Sequence, residues 1–188
     1  MNGSLLYQAY GVQGYSYAST EYKGSAIFLH LKTIQPQRNR CPHCGGHHVI
    51  KYGTVRRALH NLPFGSKPCF LSLQVQRRCC KACGAVWQSG IPFTHGGVSY
   101  TYRFSRYVLD LLRMGNTIKD VAQHLHVGWN MVKDIHKKYL KSKYSCPDIR
   151  QVRHIGIDEF STRKGHVYKT IVVDLDTGRI IHVAEGKA

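Results

Sequence analysis

Two copies of one short motif, Cys-x-x-Cys-Gly, constrain this chain more than any other feature. They are Cys41-Pro-His-Cys44-Gly45 and Cys80-Lys-Ala-Cys83-Gly84, with 35 residues between Cys44 and Cys80. Two thiolates spaced by two residues grip one face of a tetrahedral metal, and a second pair completes four soft ligands of a closed site. Glycine after each pair suits a tight turn, because it tolerates positive φ and lets backbone amides approach sulfur. The expected metal is structural zinc, held by Cys41, Cys44, Cys80 and Cys83. A redox Cys-x-x-Cys normally occurs once and opens a helix, whereas this motif occurs twice with no clear helix after it. Cys79 adjoins Cys80 and competes with it as a ligand; the two-residue gap favours Cys80. His43, His47 and His48 are further substitutes, expected to face solvent or phosphate instead. A structural site also means that the segment needs metal to fold.

Charge says what surrounds this site. The formal net charge is +17 over 188 residues. Residues 1–40 carry +3, residues 41–92 carry +7 with no carboxylate, residues 93–150 carry +6 and residues 151–188 carry +1. A positive field over 41–150 favours a polyanionic partner. Residues 1–20 lack a basic leader followed by an apolar run, so no signal peptide is read there. No stretch approaches the ~20 apolar residues of a membrane span. A reducing compartment is the expected setting, where paired cysteines bind metal more often than they form disulfides.

The pattern along the chain predicts an α+β protein of several modules. Residues 1–40 read as a lead segment with one strand at 25–34, followed by a polar, basic stretch from Gln35 to Arg40. Residues 41–92 read as a small β-rich zinc ribbon. Within it, His48 to Gly53 suggests a strand closed by glycine, and Asn61-Leu-Pro-Phe-Gly-Ser66 suggests a turn. Cys69 to Arg77 alternates, with Leu71, Leu73 and Val75 on one face and Ser72, Gln74 and Gln76 on the other. Val86 and Trp87 offer apolar cover for the metal module.

Residues 101–145 change to helical period. Phe104, Tyr107, Val108, Leu111 and Leu112 share a face, and Gly115 marks a stop. Thr117 occupies an N-cap position with Asp120 three residues on. With Ile118 as the first position of a helix-turn-helix, the small residue between the helices is Ala122. The apolar positions are then Leu125, Val127, Val132 and Ile135. His126 stands where the turn usually has glycine. An ordinary helical hairpin is the plainer alternative. Against it, the second helix, Trp129 to Lys143, exposes Asn130, Lys133, Lys137, Lys138 and Lys141. Asn suits an adenine edge and lysines suit phosphates. Trp129 at the helix start is expected to pack rather than stack.

Residues 152–188 alternate again. A strand from Val152 ends in Asp158-Glu159-Phe160, then a basic turn runs from Ser161 to Gly165. A second strand, from His166 to Asp174, is followed by a hairpin turn at Asp174-Leu-Asp-Thr-Gly178 and a third strand from Arg179 to Ala184. Alone, Asp158 and Glu159 are a weak signal, and the plainer reading is a solvated strand end.

In order, these pieces resemble the ISL-three family of bacterial insertion-sequence transposases. The matching residues are Cys-Pro-His-Cys-Gly at 41–45, Leu62-Pro63 with Gly65 and Pro68, Arg77-Arg78, and the helix-turn-helix at 118–137. Gly156-Ile-Asp-Glu-Phe160, Arg163-Lys-Gly-His166, Tyr168 and Asp174-Leu175 complete the match. The resemblance implies a zinc-binding domain, a helix-turn-helix that binds terminal inverted repeats in double-stranded DNA, and a DDE catalytic domain of ribonuclease H-like fold. Residues 152–188 would supply only the first three strands of that last fold. Asp158 matches the first catalytic Asp, while the other two acids, and with them a Mg or Mn pair, belong beyond residue 188. The chain alone is expected to be catalytically silent. Arg77 and Arg78 join the expected DNA contacts. The implied location is the bacterial cytoplasm, at the nucleoid, and a homodimer is compatible with the pattern. The alternative is a stand-alone zinc-dependent DNA-binding regulator with a dimerisation hairpin; an RNA-binding ribbon is weaker still.

Overall fold

A computed structural model describes residues 5–34, 40–163 and 167–186. The expected basic stretch at Gln35–Asn39 and the turn residues Lys164 to His166 lie outside them. The chain divides into two units, Met1–His136 and Lys137–Ala188.

The first unit is built on a mixed sheet. Helix α1 (Leu5–Tyr10) leads into β1 (Tyr15–Lys23) and β2 (Ala26–Thr33), followed by β3 (Val49–Phe64), β4 (Lys67–Cys80) and β5 (Val86–Gln88). The order is β1-β2-β4-β3, with β5 also paired to β4. The neighbours run antiparallel except β2 and β4, which are parallel. The lead segment thus holds a helix and two strands where its sequence shows one strand. Gly, Tyr and Ser mask the signal in residues 1–20; β1 is held by its pairing to β2 rather than by its own alternation.

The hairpin β3–β4 corrects two local expectations. Gly53 does not close a strand. It sits at φ 98°, at a register shift between Lys51 and Thr54, and β3 continues past it. A glycine inside a strand often marks such a bulge. Asn61 to Phe64 is likewise strand, and the turn narrows to Gly65-Ser66. Pro63 is tolerated because β3 lies at the sheet edge, where a missing N–H breaks no ladder. The alternation of β4 holds: Leu71, Leu73 and Val75 are buried with Leu31, Leu59 and Phe93 beneath α1.

Three helices follow: α2 (Tyr102–Arg113), α3 (Ile118–His124) and α4 (Trp129–Tyr144). Thr101 caps α2. Thr117 and Asp120 form a reciprocal capping box on α3, which satisfies two orphan N–H groups. Phe104, Val108, Val121, Ala122, Leu125, Val132 and Ile135 make their core. Val127 is half-buried beside it. His126 itself takes the left-handed conformation (φ 53°), the role glycine usually fills, and His is among the residues that tolerate it best.

This helical core is tied to the sheet by a short polar seam. The His60 N–H donates to the Ser99 carbonyl (2.7 Å), and the Thr101 N–H donates to the His60 carbonyl (2.9 Å). Thr101 Oγ1 donates to Asn61 Oδ1 (2.9 Å) and accepts the Phe104 N–H (3.2 Å). Both side chains are buried. The His60 ring lies 5.8 Å from that of Phe104.

In the second unit, β6 (Ile155–Arg163), β7 (Val167–Asp174) and β8 (Arg179–Glu185) form an antiparallel sheet in chain order. The first strand starts at Ile155 rather than Val152. Ile155, Ile157, Phe160, Ile180 and Val183 are all exposed. Three strands with uncovered apolar residues and two open edges make a weakly held, association-prone element.

Candidate metal centre and nucleic-acid interface

The two cysteine motifs fold into matching knuckles. In the first, the Cys41 N–H donates to the Gly46 carbonyl (2.9 Å) and the Gly45 N–H to the Cys41 carbonyl (3.0 Å). In the second, the Cys80 N–H donates to the Ala85 carbonyl (2.9 Å) and the Gly84 N–H to the Cys80 carbonyl (2.8 Å). Gly45 and Gly84 have φ of 71° and 70°, as turns of this tightness require. β4 carries Cys80 to its end, while the loop before β3 carries Cys41 and Cys44.

The four sulfurs of Cys41, Cys44, Cys80 and Cys83 lie within 4.8 Å of one another. Cys41 to Cys83 and Cys44 to Cys80 are each 3.6 Å apart. A tetrahedron with Zn–S bonds of about 2.3 Å has sulfur–sulfur edges of about 3.8 Å, so the donor set fits zinc. The separations are far longer than the roughly 2 Å of a disulfide, and all seven cysteines are free thiols. Cys80 joins the cluster. Cys79 points elsewhere, its thiol directed to the Cys80 carbonyl (3.8 Å). His43, His47 and His48 are exposed and stand outside the cluster.

The thiols' electrostatics also call for a cation. Burial opposes ionisation of Cys41, yet the N–H groups of Cys44 and His43 and the adjacent thiols outweigh it and bring Cys41 down to about 6. The Ala85 N–H favours the Cys83 thiolate, but burial and the three other sulfurs push Cys83 up to about 12. The first charge forms readily and the last is resisted, as expected of coupled acids sharing one small volume. A divalent ion removes that conflict.

Burial along α4 follows the pattern of its sequence. Val132 and Ile135 of α4 are buried, whereas Asn130, Lys133, Lys137, Lys138 and Lys141 are exposed. The 3.6-residue period places Asn130, Lys133, Lys137 and Lys141 on the side away from Val132 and Ile135. Trp129 does not pack into the core. It is 48% exposed, with the Lys133 ammonium 5.0 Å from its ring. At the first turn of a helix the core side is already filled by Val132, so the indole stays outside.

The two ribbon arginines differ. Arg77 is half-buried, its guanidinium 5.5 Å from the Tyr52 ring. Arg78 is only 6% exposed and donates to Ser89 Oγ (3.4 Å) and Gln76 Oε1 (3.3 Å). It fastens β4 to the segment after β5 and is not offered to a polyanion, which corrects the expectation of a DNA contact there.

Asp158 is exposed on β6, opposite Ile171, and accepts the Glu159 N–H (2.8 Å). Asp174 is buried and accepts from the Asp176 N–H (3.1 Å) and the Thr177 hydroxyl, so it holds the hairpin turn. Among the described residues, the four cysteines are the only group of three or more metal-ligating side chains. The described residues therefore do not fit a two-metal catalytic centre. No helix among them is long and apolar enough to cross a membrane.

A capped α3, a turn at His126 and an α4 with exposed Asn and lysines have the form of a DNA-binding helix-turn-helix. Comparison with known proteins agrees. Residues 91–140 match the helix-turn-helix domain of transposase family ISL3, the ISL-three family of the sequence resemblance. The transposase for insertion sequence element IS1001 of Bordetella parapertussis is 26% identical over 191 residues, covering 100% of this chain and 47% of that protein. The transposase for insertion sequence element IS1557 of Mycobacterium tuberculosis is 26% identical over 165 residues, covering 87% of this chain and 37% of that protein. No solved structure matches the chain. The chain thus carries a segment that matches the ISL3 helix-turn-helix domain and is similar to insertion-sequence transposases, and it spans less than half the length of the curated relatives it matches.

Proposed function

We propose that this chain is the DNA-holding front part of an insertion-sequence transposase, which binds the terminal inverted repeats of its element. One observation carries the reading most: a segment matching a transposase helix-turn-helix presents Asn130 and a lysine stripe on the side of α4 away from its core. In this account Asn130 reads a base edge in the major groove and Lys133, Lys137, Lys138 and Lys141 hold phosphates. Zinc on Cys41, Cys44, Cys80 and Cys83 fixes the end of the β3–β4 hairpin, and so supports the sheet on which the reader helices sit. The proposed modules are the ribbon at 41–92 with its lead segment 1–40, the helix-turn-helix at 101–145, and the beginning of a ribonuclease H-like domain at 152–188.

Asp158 is, on this reading, the first acid of a DDE triad. The other acids of such a triad are not assigned among residues 152–188. A Mg or Mn pair would activate water or a 3′ hydroxyl only in the complete site. The chain's own contribution is binding and positioning of DNA in the cytoplasm. DNase footprinting of the zinc-loaded chain on the DNA flanking its coding sequence tests the reading. Protection confined to a pair of inverted repeats is expected. Uniform, weak protection along the whole fragment would contradict it.

A further inference from the structure

One face of the first unit's sheet is covered by α1 and Phe93; the opposite face meets α2 at His60 and is open to solvent farther along β3 and β4. Directly paired residues share a face. Thr54 pairs with Gln76, Arg56 with Gln74, His30 with Ser72 and Phe28 with Phe70. These side chains therefore line one surface, opposite Leu71, Leu73 and Val75. Lys32, two residues after His30, joins them. Near the helix-turn-helix, the surface is closed by rings: Phe28 stacks on Phe70 (4.8 Å, 10° between planes), and His60 lies 4.5 Å from Phe70. Away from those rings it opens into a depression of about 440 Å³, where Lys32, Thr54, Arg56 and Gln74 are exposed.

The charge of this surface is one-sided. Residues 22–109 contain 13 Lys and Arg and no Asp or Glu. A solvated face usually intersperses both signs, and a long single-sign run is a device for holding an opposite charge. Glu21 of β1 pairs with Phe28 and so shares this face, where its carboxylate is engaged by Lys23 (3.0 Å) and His30 (3.0 Å). Among the described residues, Lys32 and Arg56 take part in no ion pair. The neutral groups beside them, Gln74, Gln76 and Thr54, can donate hydrogen bonds without repelling an anion.

We propose that this polar sheet face is a second DNA-contacting surface, which takes the sugar–phosphate backbone of the duplex held by α4. Lys32 and Arg56 supply the charge, and Gln74 and Thr54 supply donors to phosphate oxygens. The contact sets register and orientation and carries no sequence information. It adds Lys32 of β2 and Arg56 of β3 to the ribbon's expected DNA contacts, and it rests on the DNA-binding reading above.

The test is the salt dependence of binding to a random-sequence duplex, with the full chain loaded with zinc. Each phosphate contact contributes about 0.9 to the slope of log affinity against log salt. Lys32→Ala/Arg56→Ala should lower that slope by about 1.8, with zinc content and melting temperature unchanged. The preference for inverted-repeat DNA over random DNA should stay the same. A double variant with the wild-type slope would overturn this inference alone, provided Lys133→Ala still lowers it. A wild-type chain that binds no duplex overturns the DNA-binding reading and this inference with it. Should the double variant lose stability, Lys32→Gln/Arg56→Gln keeps the polar volume, and its slope decides in the same way.

Discussion

Removing one hydroxyl, in Thr101→Val, should loosen the seam between sheet and reader helices. Thr101 is fully buried and its hydroxyl makes two bonds, as N-cap acceptor for the Phe104 N–H and as donor to Asn61 Oδ1. Losing a threonine cap costs about 1 kcal/mol. Asn61 is 2% exposed, and its Nδ2 has no partner among the described residues. Valine would therefore leave a buried amide with no side-chain bond, at a cost of about 1–3 kcal/mol. The sum is about 2–4 kcal/mol. For a chain of this length about 2–4 °C of melting temperature goes with each kcal/mol, so the midpoint should fall by about 5–15 °C. Thr101→Ser keeps both bonds and loses one methyl, at about 1 kcal/mol. Scanning calorimetry of the two zinc-loaded variants checks this. A valine variant as stable as the serine variant would refute the argument that the seam is held by its hydroxyl.

Other outcomes follow from the same geometry. Cys80→Ser should abolish stoichiometric zinc by elemental analysis, and Cys79→Ser should leave it unchanged. Chelation of the wild-type chain should unfold the knuckle end of the β3–β4 hairpin, seen as loss of amide protection there. Burial holds His60 below its ordinary value of 6.5, so the neutral form is the folded one. Stability should therefore fall as pH drops below about 6.5, where the unfolded chain takes up the proton first. His60→Phe should remove part of that slope in urea titrations at pH 5 and pH 7. Asn130→Ala should relax specificity at one base position by about 1–3 kcal/mol, while Lys133→Ala should weaken all duplexes alike; selection from a randomised duplex pool separates the two.

What could be read from the sequence was local. The knuckles, the capping box at Thr117 and Asp120, the alternation of β4 and the turn at Asp174–Gly178 each depend on residues a few positions apart. The two-residue gap already favoured Cys80 over Cys79, and the fold supplies the reason. Both lie at the end of β4, and only the phase of that strand decides which sulfur meets Cys41 and Cys44. Gly53 and Pro63 were misleading because each normally interrupts a strand, whereas here one forms a bulge and the other sits on an edge. Arg78 resembles Arg77 in sequence but points among Ser89 and Gln76. The parallel pairing of β2 with β4 joins residues about 40 apart, and nothing local announces it. The largely basic polar face of the sheet is a product of that pairing.

The central claim is that this chain recognises the ends of an insertion sequence through α4 on a zinc-fixed sheet. Its most direct test is the ratio of affinities, by fluorescence anisotropy at moderate salt, for the element's own inverted repeat and for a random duplex of equal length. The account predicts a preference on the order of 10³, largely lost in Asn130→Ala. Equal affinity for the two duplexes would contradict it.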